Sequence, residues 1–198
     1  LNTTTTSDNN TGVGFQALYT LNGGVSNAAL GHNALFNGTT CDNNTAVGKS
    51  AMENITSGSK NVAVGTNALD AATTADDNTA VGYEALGANT SGTDNVAVGQ
   101  AALDANTTGN LNTACGSFAL STATEANNNT GLGYSALFLL TTGSNNTAVG
   151  RASGENVTTG AQNVFVGAES GDAATTASNN TGIGYEALGK LTTGTDNT

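Results

Sequence analysis

The sequence predicts an all-β fold, a parallel β-roll or β-solenoid of seventeen-residue coils stacked along the whole chain. Three observations carry that prediction. Gly14, Gly31, Gly48, Gly65, Gly82, Gly99, Gly116, Gly133, Gly150, Gly167 and Gly184 are spaced by seventeen residues without an insertion or deletion. Four residues before each stands an asparagine, from Asn10 through Asn78 to Asn180, and Asn197 opens a twelfth copy. An apolar residue precedes every one of these glycines, and a leucine or methionine follows four residues later in nine of the eleven copies. A fixed short period marks a stacked array in which each repeat touches only its neighbours. Residues 1–198 are therefore expected to form one array of about eleven and a half coils. Leu1 and Thr198 both fall inside a repeat, so a fragment of a longer fibre is expected.

Each coil begins with a strand around a phrase such as Thr79-Ala-Val-Gly82, where the residue before the glycine is usually β-branched, as strands prefer. That residue (Val13, Val81, Cys115 or Ile183, for example) and the leucine column from Leu18 to Leu188 are expected to form the core. Gly154 and Gly171 interrupt the leucines. After a bend at the glycine a second short strand is expected near Ala-Leu. Tyr83-Glu-Ala-Leu86 is too short and too close to glycine for more than one helical turn. A threonine column follows, and then a turn such as Thr142-Gly-Ser-Asn-Asn146, rich in residues that favour tight turns. The residue two before the glycine is Ala or Gly except at Phe165, and three after it stands Ala or Ser. Such small columns suggest a face pressed against another backbone. With about two large apolar side chains per coil the core is thin, so identical chains are expected to cover what one chain leaves bare.

Fifteen acidic and four basic residues give a formal net charge of −11, which disfavours nucleic acid and anionic membrane as partners. No apolar run approaches the roughly 20 residues that span a bilayer, so no membrane insertion of this segment is expected. Cys41 and Cys115 lie four to five coils apart. At about 4.8 Å per coil that exceeds the reach of a disulfide.

No catalytic residues, cofactor or metal site can be assembled. His32 is the only histidine and occupies the most variable position of the repeat. No nucleophile–base set, Cys/His cluster or phosphate loop has the required spacing. Acidic residues gather in turns at Asp42, Asp76, Asp77, Asp94 and Asp196, yet the glycine-rich turn of calcium-binding β-rolls is missing, and a solvated face is expected. Asn9, Asn43, Asn54, Asn128, Asn145, Asn156 and Asn179 each begin Asn-x-Thr and are candidate glycosylation sites. The threonine column could order water as in ice-binding solenoids, although its turn setting argues against a flat face. Phe15, Tyr83, Tyr134, Arg151 and Tyr185, all one residue after the glycine, form the expected contact stripe.

The phrase Asn-Thr-Ala-Val-Gly-x-x-Ala-Leu, seen at Asn78–Leu86 and with Met52 in place of Leu at Asn44–Met52, resembles the head repeats of YadA-type trimeric autotransporter adhesins and related bacteriophage tail-fibre repeats. The resemblance covers the whole chain and implies a homotrimeric left-handed β-roll with small residues near a common axis. Its seventeen-residue period is more like that of the fibre arrays. It implies a structural segment of an extracellular, cell-surface or virion-surface fibre, with adhesion to a host surface glycan or protein as the alternative; the threonine column keeps an ice-binding solenoid as a more distant one. No enzymatic activity is expected.

Overall fold

The computed structural model describes residues 7–198 and contains eleven strands, each three residues long. They are β1 (Thr11–Val13), β2 (Ala28–Leu30), β3 (Thr45–Val47), β4 (Val62–Val64), β5 (Thr79–Val81), β6 (Val96–Val98), β7 (Thr113–Cys115), β8 (Thr130–Leu132), β9 (Thr147–Val149), β10 (Val164–Val166) and β11 (Thr181–Ile183). They form one parallel sheet in sequence order, each strand paired with the next at a register of seventeen, as in Thr79↔Val96 and Val81↔Val98. The chain is a β-solenoid, and no helix occurs among the described residues. Leu1 lies outside them.

Successive side chains of a strand point to opposite faces, and three residues leave room for one inward side chain. That side chain is the middle one. Ala80 is fully buried, whereas Val13 and Ile183, each just before a glycine, are 55% and 70% exposed. This corrects the sequence expectation of a core built on the residue before the glycine. The wall opposite the sheet carries the leucine column, from Leu18 to Leu137 without exposed surface, so only a small side chain fits between.

The second expected strand is also absent. Over the Ala-Leu segment the backbone alternates in hand: Glu84 has φ 55° and Leu86 has φ 52°, and the equivalent residues of every other coil share this conformation. A non-glycine residue held there costs about 1–2 kcal/mol, which burial of the leucine offsets. Coil-to-coil hydrogen bonds continue through the turn, as from Leu86 N to Ala102 O at 3.0 Å and from Ala88 N to Asp104 O at 2.9 Å.

Two columns, one of half-buried glycines and one of buried asparagines, hold successive coils close together. At Gly82, with φ 141°, a Cβ would come within 2.4 Å of the Gly99 carbonyl oxygen, and ten of the eleven spaced glycines meet the following coil's glycine in this way. The asparagine column is buried from Asn27 to Asn180 and forms an unbroken amide ladder. Asn95 donates from its backbone N (3.0 Å) and Nδ2 (3.1 Å) to Asn78 Oδ1, and from Nδ2 to the Gly109 carbonyl at 2.8 Å. Its own Oδ1 accepts the same pair from Asn112. Each amide so satisfies buried backbone groups on both sides, which is the requirement for polar atoms inside a core.

The small columns that pointed to a second chain are covered by their own coil. Ala80 and Ala85 have no exposed surface. What one chain leaves bare is the outer face of the sheet.

Candidate interaction surfaces

Three strips run the length of the rod. The first is the outer face of β1 to β11, formed by the first and third residue of each strand. Its third-residue column reads Val13, Leu30, Val47, Val64, Val81, Val98, Cys115, Leu132, Val149, Val166 and Ile183, and its first-residue column is Thr, Val or Ala throughout. No charged residue stands in either column. Sequence reasoning missed this face because it assigned the valines to the interior.

The second strip follows the spaced glycines and holds the expected contact stripe. Phe15 is 67% exposed and stacks on His32 with ring centroids 5.3 Å apart. Tyr134 meets Phe118 edge to face at 6.1 Å. Arg151 is ion-paired with Glu169, and the Tyr185 hydroxyl donates to Glu169 Oε2 at 3.4 Å. The hydrogen bond to Glu186 and the charge of Glu169 push the Tyr185 hydroxyl up to about 12. Tyr83 is likewise raised, by its hydrogen bond to Glu84. These residues share one face but do not converge on one site. A second aromatic column five residues after the glycine went unread in the sequence: Tyr19 stacks on Phe36 at 5.2 Å and 4° between planes, and Phe138 meets Phe118 at 6.5 Å. The signal was present, since Tyr19 and Phe36 are separated by one period.

The strip also carries two open hollows, one of about 360 Å³ lined by Asp70, Glu84, Gly87 and Asp104, the other of about 460 Å³ lined by Glu169, Asp172, Glu186 and Gly189. They are equivalent under a six-coil superperiod visible as Tyr83-Glu-Ala-Leu-Gly87 and Tyr185-Glu-Ala-Leu-Gly189, or Ala34-Leu-Phe36 and Ala136-Leu-Phe138. Burial, then the neighbouring Glu53, raises the Asp70 carboxyl, and burial, then Glu84, raises that of Asp104. Among the described residues no three His, Cys, Asp or Glu side chains are grouped to hold a metal ion.

The third strip is the turn side. Thr56 Oγ1 donates to the Thr73 carbonyl at 3.0 Å and Thr90 Oγ1 to the Thr107 carbonyl at 3.0 Å, a pattern kept along most of the column. These hydroxyls are used to join coils, which weakens the ice-binding reading placed on them. Asp42 and Asp76 accept from the backbone N of Val25 (2.7 Å) and Ser59 (2.6 Å), so these turn carboxylates have a structural use. Of the Asn-x-Thr positions, Asn9, Asn43, Asn128, Asn145 and Asn179 stand exposed at the turn tips with φ between 58° and 61°. Asn54 and Asn156 are exposed on the aromatic strip, where Asn156 Nδ2 donates to the Asp172 carbonyl at 2.6 Å. Cys41 is buried and Cys115 exposed, both unpaired. No family model, curated protein or solved structure matches the chain.

Proposed function

We propose that the chain is a structural segment of an extracellular or virion-surface fibre, a non-catalytic spacer that assembles with identical chains, three being the number the resemblance implies. The observation that carries the reading is the uninterrupted in-register array itself. Every coil repeats the glycine contact and the asparagine bond of the one before, so length is gained without a change of cross-section. At about 4.8 Å per coil eleven coils extend roughly 50 Å. The test is small-angle scattering with mass photometry on the purified chain. A multi-chain rod at least that long is expected; a monomer at every concentration would overturn the fibre reading.

Adhesion is the second reading, favoured by the exposed aromatic groups at Phe15, Tyr19 and Tyr134. Binding to a glycan array or to host cells that is lost in Phe15→Ala/Tyr19→Ala, with the rod intact, would support it. Equal binding by the variant would count against this strip.

A further inference from the structure

We infer that the outer face of the β1–β11 sheet is the surface through which copies of this chain associate, an inference that rests on the assembled-fibre reading. The central observation is a restriction that the coil itself does not require. The column one residue after the glycine is exposed and accepts Phe15, His32, Lys49, Tyr83 and Arg151, as an outward position should. The column one residue before it is also outward, with Val64, Val98 and Leu132 at 36–37% exposure, yet all eleven copies are Val, Leu, Ile or Cys. The coil's own core does not need these side chains, so the restriction points to a covering outside the chain.

Charge and extent identify the cover as a second copy. All the charged residues of a chain carrying a net −11 lie off this face, and identical acidic chains can meet closely only where that charge is absent. Interface centres are depleted in charge, and a large exposed apolar patch marks an association site. Two outward residues on each of eleven strands give twenty-two per chain, within the roughly 20–30 residues a side of a standard interface. The two outward columns also run unbroken along the face, because every strand pair keeps one register. Chains lying lengthwise along one another would bury it while leaving the aromatic strip outward.

The experiment compares wild type with Val64→Lys/Leu132→Lys on the sheet face and Tyr83→Lys on the aromatic strip. Mass photometry reads assembly, circular dichroism confirms the fold, and alkylation of Cys115 reports cover on the face. The wild-type assembly should hold or tighten as salt screens the repulsion, with Cys115 protected. The double lysine variant, which sets like charges against each other across the interface, should weaken association roughly hundredfold or more, free Cys115 and remain folded, while Tyr83→Lys assembles normally. If Cys115 in the intact wild-type assembly reacts like a free thiol, the inference fails whether or not the lysine variant folds. It also fails if the folded double variant stays assembled. Either result leaves the fibre reading standing, whereas a monomeric wild type removes both.

Discussion

Phe165 offers the sharpest test of how the coils are filled. It is fully buried, and it stands where the other ten copies have Ala or Gly. Gly154 and Gly171 stand where nine copies have Leu or Met. A Cβ on Gly171 would lie 2.5 Å from Phe165 Cδ1, and one on Gly154 would lie 3.2 Å from Phe165 Cδ2. A single ring therefore occupies the space that two leucine side chains fill elsewhere. Both glycines have φ near 61°, close to the 54° at which Leu137 sits, so leucine suits the backbone at either position. Phe165→Ala alone should cost about 3–5 kcal/mol, and Gly171→Leu alone about 1–3 kcal/mol or more from overpacking. The triple variant Phe165→Ala/Gly154→Leu/Gly171→Leu restores the composition of the other coils and should return to within about 1–2 kcal/mol of wild type, because contacting residues do not add. Chemical denaturation gives the totals, and hydrogen exchange over 147–175 locates them. If the triple variant is as unstable as its single changes combined, the ring does not stand in for the leucines.

The remaining predictions concern the other inner columns. Gly58→Ala should destabilise by about 1–3 kcal/mol, since its Cβ would lie 2.9 Å from Ile55 Cδ1 and 2.2 Å from the Ala75 carbonyl oxygen; Ile55→Ala/Gly58→Ala, the combination found at Ala72 and Ala75, removes the side-chain clash and keeps the backbone one, so in a thermal scan it should lose less than the two single changes combined. Asn95→Ala strands the Asn112 amide and the Gly109 carbonyl in the interior and should cost at least about 2–3 kcal/mol, measured by urea denaturation, with Asn95→Asp also destabilising at neutral pH because a carboxylate cannot donate to Gly109. Burial pushes the Cys41 thiol from 9.0 up to about 11, so below pH 9 a thiol reagent should modify exposed Cys115 and spare Cys41 in the native chain. The folded form keeps the Cys41 proton that the unfolded form loses, so stability is full below pH 9 and should fall as pH rises from 9 to 11, by on the order of 2–3 kcal/mol from this group; a Cys41→Ala variant whose melting temperature drops as steeply across that range would refute the assignment.

The period, the strand position and the stacked columns were readable because each is a statement about spacing alone. The inward or outward sense of a column was not. A three-residue strand constrains only the alternation, and hydrophobicity ranks Val81 above Ala80 for the interior when the space facing Leu86 admits only the alanine. The left-handed backbone at Leu86 was hidden for a related reason, since leucine is a poor signal for positive φ and is held there by what it buries. In the candidate surfaces, the stripe after the glycine was legible as variable and outward, while the Tyr19–Phe36 stack needed the knowledge that this column also faces out. The departures from the repeat prove more informative than the repeat once the cross-section is known. Leu21 with Gly24, Ile55 with Gly58 and Leu140 with Gly143 pair a large residue with glycine, whereas Ala72 with Ala75, Ala123 with Ala126 and Ala174 with Ala177 pair two small ones. Each of these coils thus matches one residue to another three positions along the chain. Variation of that compensated kind shows what an inner column tolerates. The valine column on the sheet face shows no such compensation inside the chain, which accords with the cover by a second copy inferred above.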